Sequence, residues 1–485
     1  MGVTKKQFAV NAIWKVLEQF SAKGITMIVS IVLLRLLPPA DHGLIALTAI
    51  FTNLSDILID GGFSTALIRK ETVDDYDYNS VFSISLLIST VLYIILFFSS
   101  PFAADYYNAP QLTTVLRVMG LLFFIQSFNA VRNGIVNRNF QFKLLFIANT
   151  TSSLISGVLG IVAAYTGFGV WALVIQRLAQ QVILTLILIF KVNWKIRWKL
   201  DFTRIKQMLS FSLGVVGSSL LNYIGGSVYS VVIGKRYSVT DLGYYDKGAQ
   251  LPMQFSLYTF GAMSNVLLPT LSSCQSDLER VKLILRKVVG MTSFLIIPMM
   301  VGMAFISKEL IVILFTDVWL PSTVVMQYSC LYYLATPFML INIQVFFALG
   351  FSGLRMKTEI IRLSLIAVGL GVFGFVFKCS MNELALVSAV IAVLVSFLTY
   401  LEVRKIANYC FSEVLSDMWK PIIGSIGMAL ALIVLPHLFA ISNIYLLLFV
   451  KVIVGGLVYL FFAIILRMTE LKDFLSMVRK RKKNE

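Results

Sequence analysis

Histidine is nearly missing from this chain of 485 residues: His42 and His437 are the whole supply. The four cysteines, Cys274, Cys330, Cys379 and Cys410, stand far apart with no paired spacing. These absences exclude a histidine metal site, a cysteine metal knuckle and a disulfide framework. Charge is scarce as well, at 13% of residues against the roughly 25% of soluble domains. No Walker loop, glycine-rich nucleotide turn or nucleophile elbow occurs, so direct ATP drive is absent. No cofactor, metal, nucleotide or catalytic residue is implied, and the chain reads as a non-enzyme. Short alternating segments are lacking too, which excludes a membrane β-barrel.

What fills the sequence instead is apolar helix. It is 58% hydrophobic with a mean hydropathy of +0.86. Spans of about the 20 residues that a bilayer requires fall near 13–37, 43–68, 80–100, 113–131, 144–166, 170–190 and 208–233. Seven more fall near 243–271, 288–306, 323–350, 358–377, 384–401, 418–436 and 443–466. The expected fold is therefore an all-α polytopic membrane protein of about fourteen transmembrane helices. Its net charge of +17 sits mainly in alternate loops, including Lys191, Lys195, Arg197, Arg286, Arg355, Lys357, Arg404 and Lys405. The opposite loops hold only Lys235, Arg236, Lys308 and Lys378. The positive-inside rule then makes both termini cytoplasmic, and the basic charge faces anionic membrane lipid rather than nucleic acid. The first apolar segment is too long for a signal sequence and reads as a retained span.

The chain also repeats itself. Residues n and n+200 pair Arg35 with Lys235, Asp41 with Asp241, Gly43 with Gly243, Gly61 with Gly261, Ser64 with Ser264 and Leu67 with Leu267. This divides it into six-helix lobes at 1–200 and 201–405, two additional transmembrane helices within 406–467, and a polybasic cytoplasmic tail at 468–485. Parallel repeats of this kind are a transporter plan, with the pathway between lobes and access alternating by rocking. The basic stretch 191–206, with Trp194 and Trp198, suits an amphipathic interfacial segment. Pro252, Pro269, Pro298 and Pro337 lie within spans, where each removes a backbone hydrogen bond. Gly214, Gly217, Gly225 and Gly226 give the seventh span a small-residue face.

Charges inside the apolar spans are the candidate site. The first hairpin carries Lys15, Glu18, Lys23 and Arg35, then Asp56 and Asp60. Lys23 lies seventeen residues before Ala40 and Asp56 sixteen after it, so both sit about 25 Å below the apex. Lys15 and Glu18 are i, i+3 neighbours. Two readings stay open. In one, Lys23–Asp56 and Lys15–Glu18 are neutralising pairs. In the other, Lys23 receives an anionic ligand, with Asp56 or Asp60 tuning it or carrying a coupling cation. Arg177 is about 10 Å into its span. Arg35, Arg117 and Lys247 are near enough to the surface to snorkel, and Asp246 stands beside Lys247. With Lys451 added, embedded bases outnumber acids, and a cationic cavity favours anionic cargo. Tyr223, Tyr229, Tyr244 and Tyr245 are available to stack on sugars, although an aromatic belt is the default role for such residues.

Several blocks carry a family resemblance: 62–70 (Gly62-Phe63-Ser64-Thr65-Ala66-Leu67-Ile68-Arg69-Lys70) followed by Asn79-Ser80-Val81-Phe82, then 137–143 and 167–173. Ile233-Gly234-Lys235, Asp241-Leu242-Gly243-Tyr244-Tyr245 and Val266-Leu267-Leu268-Pro269 extend it into the second half. In their order and spacing the chain resembles oligosaccharide flippases of the multidrug/oligosaccharidyl-lipid/polysaccharide exporter superfamily, in the branch of colanic-acid and teichuronic-acid exporters. The resemblance implies twelve core spans plus two, in the bacterial inner membrane. It also implies a polyprenyl-pyrophosphate-linked oligosaccharide as cargo, moved to the periplasmic leaflet, with polysaccharide polymerase machinery as a partner. Lys23 and Arg177 would then take the pyrophosphate or acidic sugars, supported by Arg35, Arg117 and Lys247. Many relatives carry an Asp and a basic residue where this chain has Gly226 and Tyr229, which speaks against a cation site there. The rivals are a multidrug/cation antiporter of the same superfamily, which would want an acidic pocket, and a membrane polysaccharide polymerase or ligase, which would want a large outer loop.

Overall fold

The computed structural model describes residues 5–70, 73–197, 201–439 and 441–472, and the regular structure among them is helical throughout. The chain opens with α1 (Lys5–Leu36), α2 (Pro39–Asp60), the short α3 (Phe63–Arg69) and α4 (Asp75–Tyr107). It continues with α5 (Gln111–Met119), α6 (Leu122–Arg138), α7 (Phe142–Tyr165), α8 (Val170–Lys191), α9 (Phe202–Arg236) and α10 (Val239–Ser272). Then come α11 (Leu278–Phe305), α12 (Ser307–Leu314) and α13 (Ser322–Ala348). Last are α14 (Ser352–Gly369), which runs into a π-helical stretch Leu370–Val376, α15 (Met381–Ala407), α16 (Phe411–Leu438) and α17 (Ile444–Ile465). Among the described residues twelve helical segments are long and apolar enough to cross a membrane, and α1 and α10 fill the two remaining expected spans. The chain is a multi-pass α-helical membrane protein. Residues 473–485 of the expected tail, Trp198 and the side chain of Lys15 lie outside the described residues.

Packing divides the chain into two compact units, Met1–Gly243 and Tyr244–Glu485. In the first, α7 packs on both α1 and α8, α4 on α5 and α6, and α2 on α6 and α9. In the second, α13 packs on α15 and α11, and α16 on α11 and α17. The span expected over 43–68 is broken in two because Gly61 and Gly62 both take the left-handed conformation, with φ of 53° and 69°. That conformation costs glycine nothing, and it ends α2 at Asp60.

The family-like blocks of the first unit fold against one another. Arg138 donates to the carbonyls of Leu67 (2.8 Å) and Lys70, and Lys70 pairs with Asp77 at 2.6 Å. Asn79 Oδ1 accepts from the backbone N–H of Arg197 at 2.7 Å. In the stretch after α8, Val192 and Trp194 are buried, Trp194 against Phe82, and Arg132 stacks 5.0 Å from the Trp194 ring. Alternation along an extended strand points these two side chains inward, which a helical reading of the stretch misses.

Three interior prolines are mended by their neighbours. Each proline removes the bond that the carbonyl four residues back would accept. Opposite Pro101, the Phe97 carbonyl takes Ser100 Oγ (2.9 Å) and Arg117 Nε (3.3 Å). Opposite Pro298, the Phe294 carbonyl takes the Tyr459 hydroxyl of α17 at 2.8 Å. Opposite Pro337, the Tyr333 carbonyl takes Ser256 Oγ at 2.8 Å. Tyr459→Phe is expected to cost about 1–3 kcal/mol, the penalty for an orphaned buried acceptor. In a Pro298→Ala background the cost should fall towards zero, because alanine restores the N–H. Thermal unfolding of the four proteins in detergent checks this, and equal costs in both backgrounds would contradict it.

Candidate functional site

The polar face of α2 is the centre of the first unit's embedded charge. Asp56 is half-buried, and the charges that act on it are Arg177 of α8, opposite in sign, and Asp60, alike. From α9, the Tyr223 hydroxyl lies 3.0 Å and 3.1 Å from the carbonyls of Ala49 and Ile50 and bonds the side chains of Asn53 and Ser227. Asp56, Arg177 and Tyr223 are thus brought together by three different helices. Asp60 has local partners: Ser64 Oγ donates to it at 2.5 Å and the Gly62 N–H also does, so its carboxylate ties α2 to α3 across the glycine break.

Lys23 is exposed on α1, and α1 packs principally on α7, whereas α2 packs on α6 and α9. The two helices thus lean on different neighbours beyond their common turn. Glu18 accepts from Asn149 of α7 at 2.9 Å. Arg35 and Arg177 are exposed. Arg117 is committed to the Phe97 carbonyl and Ser100, with its guanidinium 4.1 Å from the Phe97 ring centroid. Lys247 pairs with Asp246 at 2.9 Å.

Uncharged polar residues form a seam that a search for charges does not reveal. Gln180 donates to Ser153 (3.2 Å), and Asn129 joins Gln181 (3.3 Å) to Thr185 (2.8 Å). These lie one turn and more beyond Arg177 on α8, and the i, i+3/i+4 spacing is the only signal the sequence offers. In the second unit Glu359 of α14 accepts from Arg355 at 3.0 Å and from Arg362, both pairs being largely buried. Tyr332 of α13 bonds Arg362, and Tyr245 bonds Ser388 of α15. Arg362 lies on α14, within the membrane-spanning segment Gly353–Val376.

At the start of α2, Gly43 lies against the start of α10. A Cβ on Gly43 would fall 1.8 Å from the Val239 carbonyl oxygen, and one on Gly243 would fall 2.2 Å from that of Pro39. These are the two glycines that the repeat sets at equivalent positions.

Residues 32–324 match the family model described as polysaccharide biosynthesis protein. The chain belongs to that family. Within it, the chain is 26% identical over 320 residues to the succinoglycan biosynthesis transport protein ExoT of Rhizobium meliloti (strain 1021). That match spans 65% of this chain and 64% of ExoT's length. It is 22% identical over 352 residues to the teichuronic acid biosynthesis protein TuaB of Bacillus subtilis (strain 168), 72% of either chain. In fold it is similar to the lipid II flippase MurJ in its inward closed conformation, with a TM-score of 0.73 and 17% identity over 94% of this chain and 99% of that one. The family's resemblance to polysaccharide exporters, read from the residue blocks, is borne out by these matches.

Proposed function

We propose that this chain is a flippase that moves polyprenyl-pyrophosphate-linked oligosaccharide units across the bacterial cytoplasmic membrane, for exopolysaccharide, capsule or O-antigen synthesis. It does so by alternating access and carries out no covalent chemistry. The observation that carries this reading is a polysaccharide-biosynthesis family match on a chain built from membrane-spanning helices, with embedded arginine and lysine in excess. Both termini are assigned to the cytoplasm by the basic loops. The contact of Gly43 with Gly243 supports a duplicated plan with lobes at 1–200 and 201–405, and α16 and α17 within 406–467 stand outside the repeat.

Lys23, Arg35 and Arg177 are assigned to the pyrophosphate or acidic sugars, because they are exposed cations carried by the helices α1 and α8. Arg117 and Lys247 serve in support, each already held by a neighbour. Asp56 sets the field around Arg177, while Glu18, Asp60 and Lys15 complete the charge pairing or couple a cation. A polysaccharide polymerase is the assigned downstream partner.

Leaflet-resolved tracking of lipid-linked oligosaccharide in cells tests the reading. Lys23→Ala and Arg177→Ala are expected to lower surface polysaccharide at least tenfold and to leave lipid-linked units on the cytoplasmic side. Wild-type flux in both variants would remove those residues from the site. An unchanged leaflet distribution when the whole chain is deleted would remove the function.

A further inference from the structure

At one end of the second unit α14 and α15 line a cavity of about 550 Å³, within the range of small-molecule pockets. Three cations border it: Lys357 from α14, and Arg404 and Lys405 from the last turn of α15. Glu402 is the one carboxylate among the lining residues, and it accepts from both Lys357 and Lys405 at 3.2 Å. It holds the two amines side by side without satisfying them, since each ammonium has three donors and the side chains stay 59% and 71% exposed. The site therefore keeps a surplus of positive charge and free donors.

The rest of the lining is Thr358, whose hydroxyl donates to the Arg355 carbonyl, with the apolar Ile361, Leu398 and Leu401. It is continuous with a stripe on α15. Val390, Leu394, Phe397 and Leu398 are large apolar side chains left exposed at three- and four-residue spacing, and the same face runs on through Leu401 to Arg404 and Lys405. An exposed apolar stripe on a membrane-spanning helix is stable only against hydrocarbon. Here it ends in a cationic pocket at a basic, positive-inside helix end.

We infer that this pocket binds the phosphate headgroup of an anionic phospholipid of the cytoplasmic leaflet, with acyl chains laid along the α15 stripe. Charge complementarity selects the headgroup, because three cations against one carboxylate suit a phosphodiester and leave a zwitterionic headgroup's ammonium unmatched. The apolar stripe selects a lipid over a free phosphate, because inorganic phosphate gains nothing from it. The site is separate from the residues assigned to the cargo and stands whether or not that assignment holds.

The test is titration of dilauroyl phosphatidylglycerol into the full-length protein in detergent, with retained lipid counted by native mass spectrometry. One tightly retained phosphatidylglycerol is expected, and phosphatidylcholine should not replace it. Lys357→Gln/Arg404→Gln/Lys405→Gln should weaken retention by about fivefold for each charge removed. Lys191→Gln/Lys195→Gln/Arg197→Gln, which removes the same charge elsewhere, should leave it unchanged. If the pocket triple does not purify, Arg404→Gln alone decides by its single fivefold step. Equal weakening in both triples, or retention untouched by the pocket variants, overturns the site. Competitive displacement of phosphatidylglycerol from this pocket by undecaprenyl diphosphate at equal concentration overturns the choice of phospholipid. Retention of inorganic phosphate with no gain from the lipid overturns the role of the stripe.

Discussion

Gly43→Leu is expected to abolish the proposed flippase activity while leaving the protein inserted in the membrane. The reason is local and severe. A Cβ at this position would sit 1.8 Å from the Val239 carbonyl oxygen and 2.8 Å from its carbon, and these are backbone atoms that no rotamer change can move. Overpacking of side chains typically costs about 1–3 kcal/mol, and a backbone obstacle lies at or above the top of that range. The start of α10 must then shift away from the start of α2. Gly243→Leu should act alike, because its Cβ would meet the Pro39 carbonyl oxygen at 2.2 Å. Even Gly43→Ala should lower flux, since the clash is made by Cβ itself. Gly217, whose Cβ would meet no atom within 4 Å, supplies the control: Gly217→Ala should export normally. Surface polysaccharide measured at matched protein levels separates these outcomes. Wild-type export by Gly43→Leu would show that the two helix starts need not meet during transport.

The second large effect involves none of the residues assigned to the cargo. Lys451 of α17 meets Glu309 of α12 at 2.5 Å, with both side chains more than 90% buried and Glu309 Oε2 without a further partner among the described residues. Lys451→Ala leaves a buried carboxylate alone and is expected to cost about 3–5 kcal/mol. Replacing both, as Lys451→Met with Glu309→Leu, should recover most of that, because the desolvation of two charges disappears along with their attraction. Thermal unfolding of the single and double variants in detergent gives the comparison. Transport per folded molecule should survive in the double variant. A double variant as unstable as the single one would mean that the pair contributes through its ionic character and not merely through mutual neutralisation.

That pair also shows where sequence reading stops. Lys451 is visible as a charge inside an apolar run. Glu309 is invisible as its partner, because 142 residues separate them and nothing in the local pattern of α12 points to α17. Hydropathy is a property of each segment alone, which is why every expected span falls on helical chain, and why the breaks at Gly61–Gly62 and Gly120–Leu121 inside two of them are not legible in it. Charge depth is likewise a property of one helix. It gave Lys23 and Asp56 matching heights without the knowledge that α1 leans on α7 and α2 on α9. Arg362 offers a further case: its partners Glu359 and Tyr332 sit on α14 and α13, and only the fold sets the second of them beside it. Tyr409 gives the same lesson outside the spans. Burial and the Asp417 carboxylate, 2.8 Å away, push its hydroxyl above the usual range, so it stays a proton donor to that carboxylate at any physiological pH.

The prolines mended by neighbouring helices carry a consequence for biosynthesis. A ribosome delivers this chain from its N-terminus, so each carbonyl waits for its donor according to sequence distance. Phe97 waits only twenty residues for Arg117, and Ser256 is already in place when Tyr333 emerges. Phe294 must wait 165 residues, until the last transmembrane helix delivers Tyr459. Until then α11 holds an unfilled acceptor at Phe294, so the final helix acts as the closing stitch of a fold begun long before it.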